Sequence, residues 1–348
     1  MQEEKTSACG KDSRRDFIRK SALGIMGISL SVSTYPVFQN VSNRVVIVRH
    51  KNVFDRDGHA RQQVVVEMVN RGITKLTGAG NVSNAWLPFF RRDDVIGMKI
   101  NAVSFRGLAN TPLATHYPAL TRAIISSCGE AGMKEKQFVI WDRSDAELVN
   151  LGYTPSKVED RVRVFGTYRH HRGTDGIGFH PELHTAGKKS TRISRILSDI
   201  CTAMINVPVI KPHTLSGITA ALKNHYGTIN NPSRFHSGAC TDPGIPEINA
   251  IPEIRNKERL VICNALQAIY RGGISWKSAN AWPYGGIILG TDPVAVDRVC
   301  LKILNEKRLQ SNKNIIDKRA RHIQLSAQLG IGVADLDKID IIEIDLES

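Results

Sequence analysis

Short valine- and isoleucine-rich runs, helical patterns between several of them, and polar residues just after the runs predict an α/β fold: a mainly parallel sheet with flanking helices. The first run, residues 45–48, precedes a helical pattern over 61–69. Runs at 95–100, 138–141 and 162–165 follow, with a helix expected over 118–131. A helix over 191–200 leads into the run 204–210, and further runs lie at 260–263 and 286–289. The last helix is expected over 293–304, where Asp292 and Pro293 read as an N-cap and a favoured first helical residue, and a final strand over 339–344. The length leaves room for two lobes with a site between them, the lobe boundary falling near residues 150–200.

Ahead of this domain, Ser13-Arg14-Arg15-Asp16-Phe17-Ile18-Arg19-Lys20 precedes an apolar run over residues 22–32. The arginine pair, the Phe two residues on and the apolar run stand in the order of a twin-arginine export signal. Gly24, Gly27, Ser29 and Ser31 interrupt the run, which falls short of the ~20 residues that span a bilayer. Cleavage before Thr34 would leave no stable membrane span. Residues 1–33 are therefore expected to be a signal peptide, 34–43 a linker and 44–348 the α/β domain. The partner implied is the twin-arginine translocation machinery, and the location periplasmic or otherwise exported. That route carries folded proteins, commonly with a cofactor already inserted.

The chain carries a net charge of +14. Residues 1–33 hold six basic and four acidic side chains, so +12 remains without them. The basic residues are dispersed and no dense basic run with interleaved aromatics occurs, so a small anionic ligand is expected as partner, and no nucleic acid. Of the six cysteines, Cys9 lies in the signal. Cys128, Cys201, Cys263 and Cys300 sit among apolar residues as buried small hydrophobes, and Cys240, in a Gly/Pro-rich stretch, is expected at the surface. No C-x-x-C spacing occurs, so no protein-bound iron–sulfur cluster is expected.

Ligands of parallel sheets bind beyond the carboxyl ends of strands. Those positions hold Lys99 and Asn101, then Asp142, Arg143 and Ser144, then Lys211 and His213. After residue 213 a helix is expected from Thr214, with Ser216, Thr219 and Lys223 as a polar stripe and Gly217 allowing a close approach. A lysine there can be a nucleophile, a clamp on an anion, or an ion-pair partner of Asp297. Seven of the eleven histidines, His170, His171, His180, His184, His213, His225 and His236, concentrate in this region, which raises metal binding. His180 and His184, four apart, suit two ligands on one helical face, with Pro181 at a helix start. Residues 230–252 read as a long loop, either a lid or a surface excursion, and Trp276, Trp282 and Tyr284 as an aromatic loop.

Four segments resemble the uncharacterised domain of unknown function 362 family: Val95-Ile96-Gly97-Met98-Lys99-Ile100-Asn101, Trp141-Asp142-Arg143-Ser144, residues 211–227, and Gly290-Thr291-Asp292-Pro293-Val294-Ala295-Val296-Asp297. Some relatives carry a ferredoxin-like cysteine set that this chain lacks. A more distant similarity is to the lactate racemase family, where a Pro-His segment precedes by ten residues the lysine that tethers a nickel-pincer nucleotide. Pro212, His213 and Lys223 match that spacing. The resemblance implies His213 as an acid/base and Lys223 as the tether, with His225 or His236 as a metal ligand. That family's glycine-rich run is Thr219-Ala220-Ala221-Leu222 here.

Two function classes follow. One is an exported enzyme that holds a metal or nucleotide-like cofactor and performs acid/base or redox chemistry on a hydroxy acid-like anion. Its catalytic residues would be His213, Lys223, Asp142 and Lys99; Lys211, Gly217, Thr219, Asn224 and Asp297 would hold the cofactor, and His225 and His236 a metal. The other is a periplasmic anion- or metal-binding protein in which the lysines hold a ligand and no bond is broken.

Overall fold

The structure, a computed structural model, describes residues 43–103, 108, 111–170, 175–236, 238, 240–272 and 277–346. The export signal, His171 and Trp276 lie outside them. Strand β1 (Arg44–His50) leads through α1 (Gln62–Thr77) and α2 (Val82–Trp86) to β2 (Ile96–Ile100), and α3 (His116–Glu130) connects it to β3 (Phe138–Trp141). Helix α4 (Asp145–Val149) and β4 (Arg163–Val164) follow, then a hairpin of β5 (His184–Ala186) and β6 (Lys189–Thr191). Beyond β7 (Ala203–Val207) comes a second hairpin, β8 (Lys211–His213) and β9 (Gly217–Thr219), and the short helices α5 (Ala221–Asn224), α6 (Ile245–Asn249) and α7 (Pro252–Lys257). The chain ends with β10 (Glu258–Ala265), the pair β11 (Ala268–Ile269) and β12 (Ala281–Trp282), β13 (Gly286–Gly290), α8 (Pro293–Gln310), α9 (Arg321–Gln328) and β14 (Asp340–Leu346).

Eight strands form one sheet in the order β14-β1-β13-β10-β7-β2-β3-β4. Neighbours pair in parallel except β13, which runs against both β1 and β10. Successive strand residues serve opposite faces. Val46, Val48, Met98 and Ile100 join α1 and α3 in one apolar cluster, while Val45, Ile47, Val139, Trp141 and Met204 join α8 in another. Burial on both faces explains why the strands read as continuous apolar runs instead of alternating ones. The mainly parallel α/β fold expected from the sequence is the fold observed, and both sides of residues 150–200 contribute strands to the same sheet.

From β2 the chain steps to β3 and β4 on one side, then returns to place β7 and β10 on the other. The carboxyl ends of β2 and β7 thus flank a switch point, where the sheet's direction of growth reverses and a crevice opens. Behind it, Asp292 caps α8: its Oδ1 accepts from the Val294 and Ala295 amides (2.8 and 2.9 Å) and its Oδ2 from the Val333 amide (2.6 Å). Burial pushes this carboxyl up to about 6 despite those donors. Asp292→Ala is expected to lower the unfolding free energy by about 1–2 kcal/mol in urea titration, because three amides lose their acceptor.

Several local expectations differ from the structure. No helix starts at Thr214; Gly217, at φ 74°, allows the chain to fold back as the hairpin of β8 and β9. Pro181 begins no helix, and His184 opens β5. Only residues 196–200 of the expected helix over 191–200 are helical, as one wide turn. Within the expected loop, residues 232–235 and 245–249 are short helical turns and 240–244 is broken by the extended Asp242, and a further turn over 252–257 starts where the loop was expected to end. Cys240 is buried, packed under Tyr226, whose hydroxyl donates to the Cys240 carbonyl at 3.2 Å. Among the described residues, no helix is long and apolar enough to cross a membrane.

Candidate functional site

At the end of β2, Lys99 lies on the sheet face shared with its lateral neighbours Trp141 and Asn206. It is 1% exposed, and its Nζ stands 2.6 Å from Asp142 Oδ1 at the end of β3. Asp142 Oδ2 accepts from the Ala102 amide at 2.6 Å. The Lys99 ammonium also donates to the Ile100 carbonyl (2.7 Å) and to Asn224 Oδ1 (3.2 Å). Burial lowers the Lys99 pKa, and the Asp142 carboxylate opposes that shift.

Asn224, on α5, ties the strand ends together with a fully used amide. Its Nδ2 donates to the Lys99 carbonyl (3.0 Å) and Asn206 Oδ1 (2.8 Å), and its Oδ1 accepts from Lys99 and from Asn101 Nδ2 (3.0 Å). Gly227 lies directly over the ion pair. A Cβ at that position would stand 2.5 Å from Asp142 Oδ1 and 2.7 Å from Lys99 Nζ. Gly227→Ala is therefore expected to cost about 1–3 kcal/mol of stability in denaturant titration, since the pair could make way only by straining its 2.6 Å contact and its bonds to Asn224 and Ala102.

Above this floor opens a cleft of about 470 Å³. Its lining includes the cationic side chains of Lys99, Arg143, Lys211 and Lys223 and one carboxylate, Asp142. Lys211, entering from β8, donates to Asn101 Oδ1 (2.8 Å) and the Val103 carbonyl (2.9 Å). Burial brings its pKa down to about 7, with Asp142 opposing and Lys223 adding to the shift. Lys223 lies 3.7 Å from the centre of the Tyr226 ring, and its Nζ is 3.2 Å from His236 Nε2. Burial lowers Lys223 to about 8.

Two histidines meet the cleft in opposite tautomers. His213 Nδ1 accepts from the Leu215 and Ser216 amides, each at 3.2 Å, so when neutral it carries its proton on Nε2. His236 Nδ1 must donate to the Pro232 carbonyl at 2.9 Å, which leaves Nε2 as an acceptor for the Lys223 ammonium. Burial and then the Lys223 charge hold His213 near about 3 and His236 near about 4, so both rings are neutral at pH 7. Their ring centres are 5.7 Å apart. Thr219 Oγ1 is buried in the lining and, among the described residues, has no hydrogen-bond partner.

Lys99, Asp142, Lys211, His213, Thr219, Lys223, Asn224 and His236 are thus brought to one cleft, and three expected site residues are not. Gly217 faces away: a Cβ there would lie 2.9 Å from the Ile316 carbonyl oxygen, so the close approach it permits is to backbone. Asp297 is fully buried behind α5, where its Oδ1 accepts from the Ala221 amide (2.5 Å) and its Oδ2 lies 3.7 Å from His322. It anchors the helix that carries Lys223 instead of touching a ligand.

His225 also points away. Its Nε2 lies 2.7 Å from Glu258 Oε2 and its ring is fully buried, so it shares no site with His236. Among the described residues, no three His, Cys, Asp or Glu ligand atoms gather in the cleft. Trp282 and Tyr284 pack edge to face with each other, outside the lining. Sequence reasoning missed Tyr168, Tyr226 and Asn230, which do line it. Tyr168 follows β4, so the strand-end rule applied to that strand would have found it.

A crystal structure of a protein from Thermotoga maritima is similar at 16% identity with a TM-score of 0.42, over 77% of this chain and 59% of that one. This chain therefore spans less than two thirds of that protein's length. No curated protein matches. The family model described as a domain of unknown function, DUF362, matches residues 96–302, more than half of the chain and every segment that lines the cleft, and the chain belongs to that family.

Proposed function

We propose that the cleft binds a small carboxylate anion, of the hydroxy or oxo acid kind, and performs acid–base chemistry beside its carbonyl or hydroxyl group. The observation that carries this reading is the pair of desolvated lysines, Lys211 and Lys223, in a lining whose one carboxylate is already matched to Lys99. Two ammonium groups held away from water attract an anion far more strongly than two on the surface. The Thr219 hydroxyl, without a partner among the described residues, supports the reading, because a ligand oxygen would satisfy it. The neutral histidines supply the proton chemistry. Once the Lys223 ammonium turns from His236 Nε2 to the anion, that nitrogen would take a proton from carbon next to a carbonyl, His213 Nε2–H would give one to the developing enolate oxygen, and the lysines would stabilise its charge.

Pyruvate and L-lactate are the probes. Calorimetry reads binding, and proton NMR in deuterium oxide reads loss of the carbon-bound proton signal. The reading expects binding with exchange, and exchange lost but binding kept in His213→Gln. Binding without exchange would leave an anion-binding protein, and binding of neither anion would end the proposal.

A specific observation also favours covalent use of Lys223. At a pKa of about 8, roughly a tenth of it is free amine at pH 7. That supports attachment of a carbonyl compound or of the nickel-pincer nucleotide implied by the more distant likeness, which would supply metal and hydride chemistry when bound. Added mass on the intact protein, absent from Lys223→Ala, is the expected sign. Delivery across the inner membrane is read from Arg14 and Arg15. N-terminal sequencing of the exported protein should begin at Thr34, and Arg14→Lys with Arg15→Lys should stop export.

A further inference from the structure

Away from the cleft, Glu182, His184 and Glu253 converge from the segment before β5, the start of β5 and the first turn of α7. One ligand atom from each lies within 4.8 Å of the others. His184 Nδ1 and Glu253 Oε2 stand 3.5 Å apart, too far for a good hydrogen bond. Two ligands each ~2.0–2.1 Å from a tetrahedral zinc ion are themselves roughly 3.3–3.4 Å apart, so the separation fits a shared cation better than a direct bond.

Two further observations point to a cation. Glu253 Oε2 is shielded from water and, among the described residues, receives no hydrogen bond, which is costly for a carboxylate oxygen unless positive charge reaches it. The His184 side chain is only 10% exposed, and among the described residues its contact with Glu253 is its one polar contact. On α7, Lys257 spends its hydrogen bonds on the Leu197 and Ser198 carbonyls at 2.6 and 3.0 Å, and its charge reaches Glu253 only through space. His180 stands at the edge of the group, its Nδ1 accepting from the Glu182 amide at 3.4 Å and lying 3.9 Å from Glu182 Oε2.

We propose that Glu182, His184 and Glu253 hold a divalent cation of the zinc class that fastens β5 to α7. One imidazole and two carboxylates suit zinc and leave a fourth position for water. None of the three residues lines the cleft, so the site is independent of the proposed acid–base function.

The test uses the full chain, stripped with a chelator, dialysed and titrated with zinc chloride alone by calorimetry, with thermal unfolding in parallel. One equivalent is expected to bind and to raise the melting temperature. His184→Gln and Glu182→Gln should each weaken zinc binding by at least about tenfold. The Glu182 side chain is 60% exposed, so its variant should melt like the parent without zinc and report ligation separately from folding. His236→Gln should bind zinc as the parent does. Absence of stoichiometric binding, unchanged affinity in both ligand variants, or loss of binding in His236→Gln alone would each overturn the proposal.

Discussion

Lys99→Met is expected to lower the unfolding free energy by about 3–5 kcal/mol, the largest single effect at this site. The loss comes less from the attraction removed than from what remains. Asp142 would stay almost fully buried with its Oδ1 facing a methionine, keeping among the described residues one hydrogen bond, from the Ala102 amide to Oδ2, and the Lys211 charge at longer range. Asn224 Oδ1 would also lose a donor that helps to hold α5 against β2. The double variant Lys99→Met with Asp142→Leu should recover much of the stability, because replacing both partners removes the stranded charge. Urea titrations of the parent, single and double variants check both statements, and equal destabilisation of the single and double variants would show that the ion pair is not the cause.

Lys223→Met is expected to leave the fold intact and weaken anion binding by at least about thirtyfold, since a desolvated charge partner is worth 2 kcal/mol or more. Its ammonium is held by a neutral imidazole nitrogen and a tyrosine ring, so its removal strands no carboxylate among those contacts. The pH dependence has a definite sign. Lys211 and Lys223, lowered to about 7 and about 8, hold an anion only when protonated. Parental affinity should therefore fall as pH rises through 7 to 8, and a bound anion should raise both pKa values. The variant should keep the part of the decline that Lys211 causes and lose the part centred near 8. Calorimetric titration with pyruvate between pH 6 and 9 reads this directly, and a flat profile in the parent would remove the lysines from the ligand.

Much of the fold was legible because its strands are buried on both faces and therefore uniformly apolar. The run at 138–141 is strand from end to end, and 45–48, 260–263 and 286–289 each lie inside a longer observed strand. The small hairpins were not legible. Residues 211–219 carry a helical spacing of Leu215 and Ile218, yet Gly217 and the close approach of Ile316 turn them back as paired strands. Propensity over nine residues is weaker than the packing of a segment placed a hundred positions further along the chain.

The amino-acid sequence determined by itself the α/β class, the strand ends bearing Lys99 and Asp142, the cap at Asp292, and a chemically dense stretch around Lys223; Lys211 instead opens β8, because the strand expected over 204–210 stops at Val207. Those signals are local: apolar runs, a capping dipeptide and polar residues at strand ends. Only the tertiary structure decided which polar residues face a common space. Asp297 and His225 have side chains as suited to a site as Lys223 and His236, but the first serves the amides of α5 and the second a glutamate on β10. It also decided the tautomers of His213 and His236, fixed by two backbone amides and one carbonyl. The physical reason is that a side chain's direction and protonation depend on neighbours contributed by remote segments, and those neighbours exist only once the sheet has brought its strand ends together.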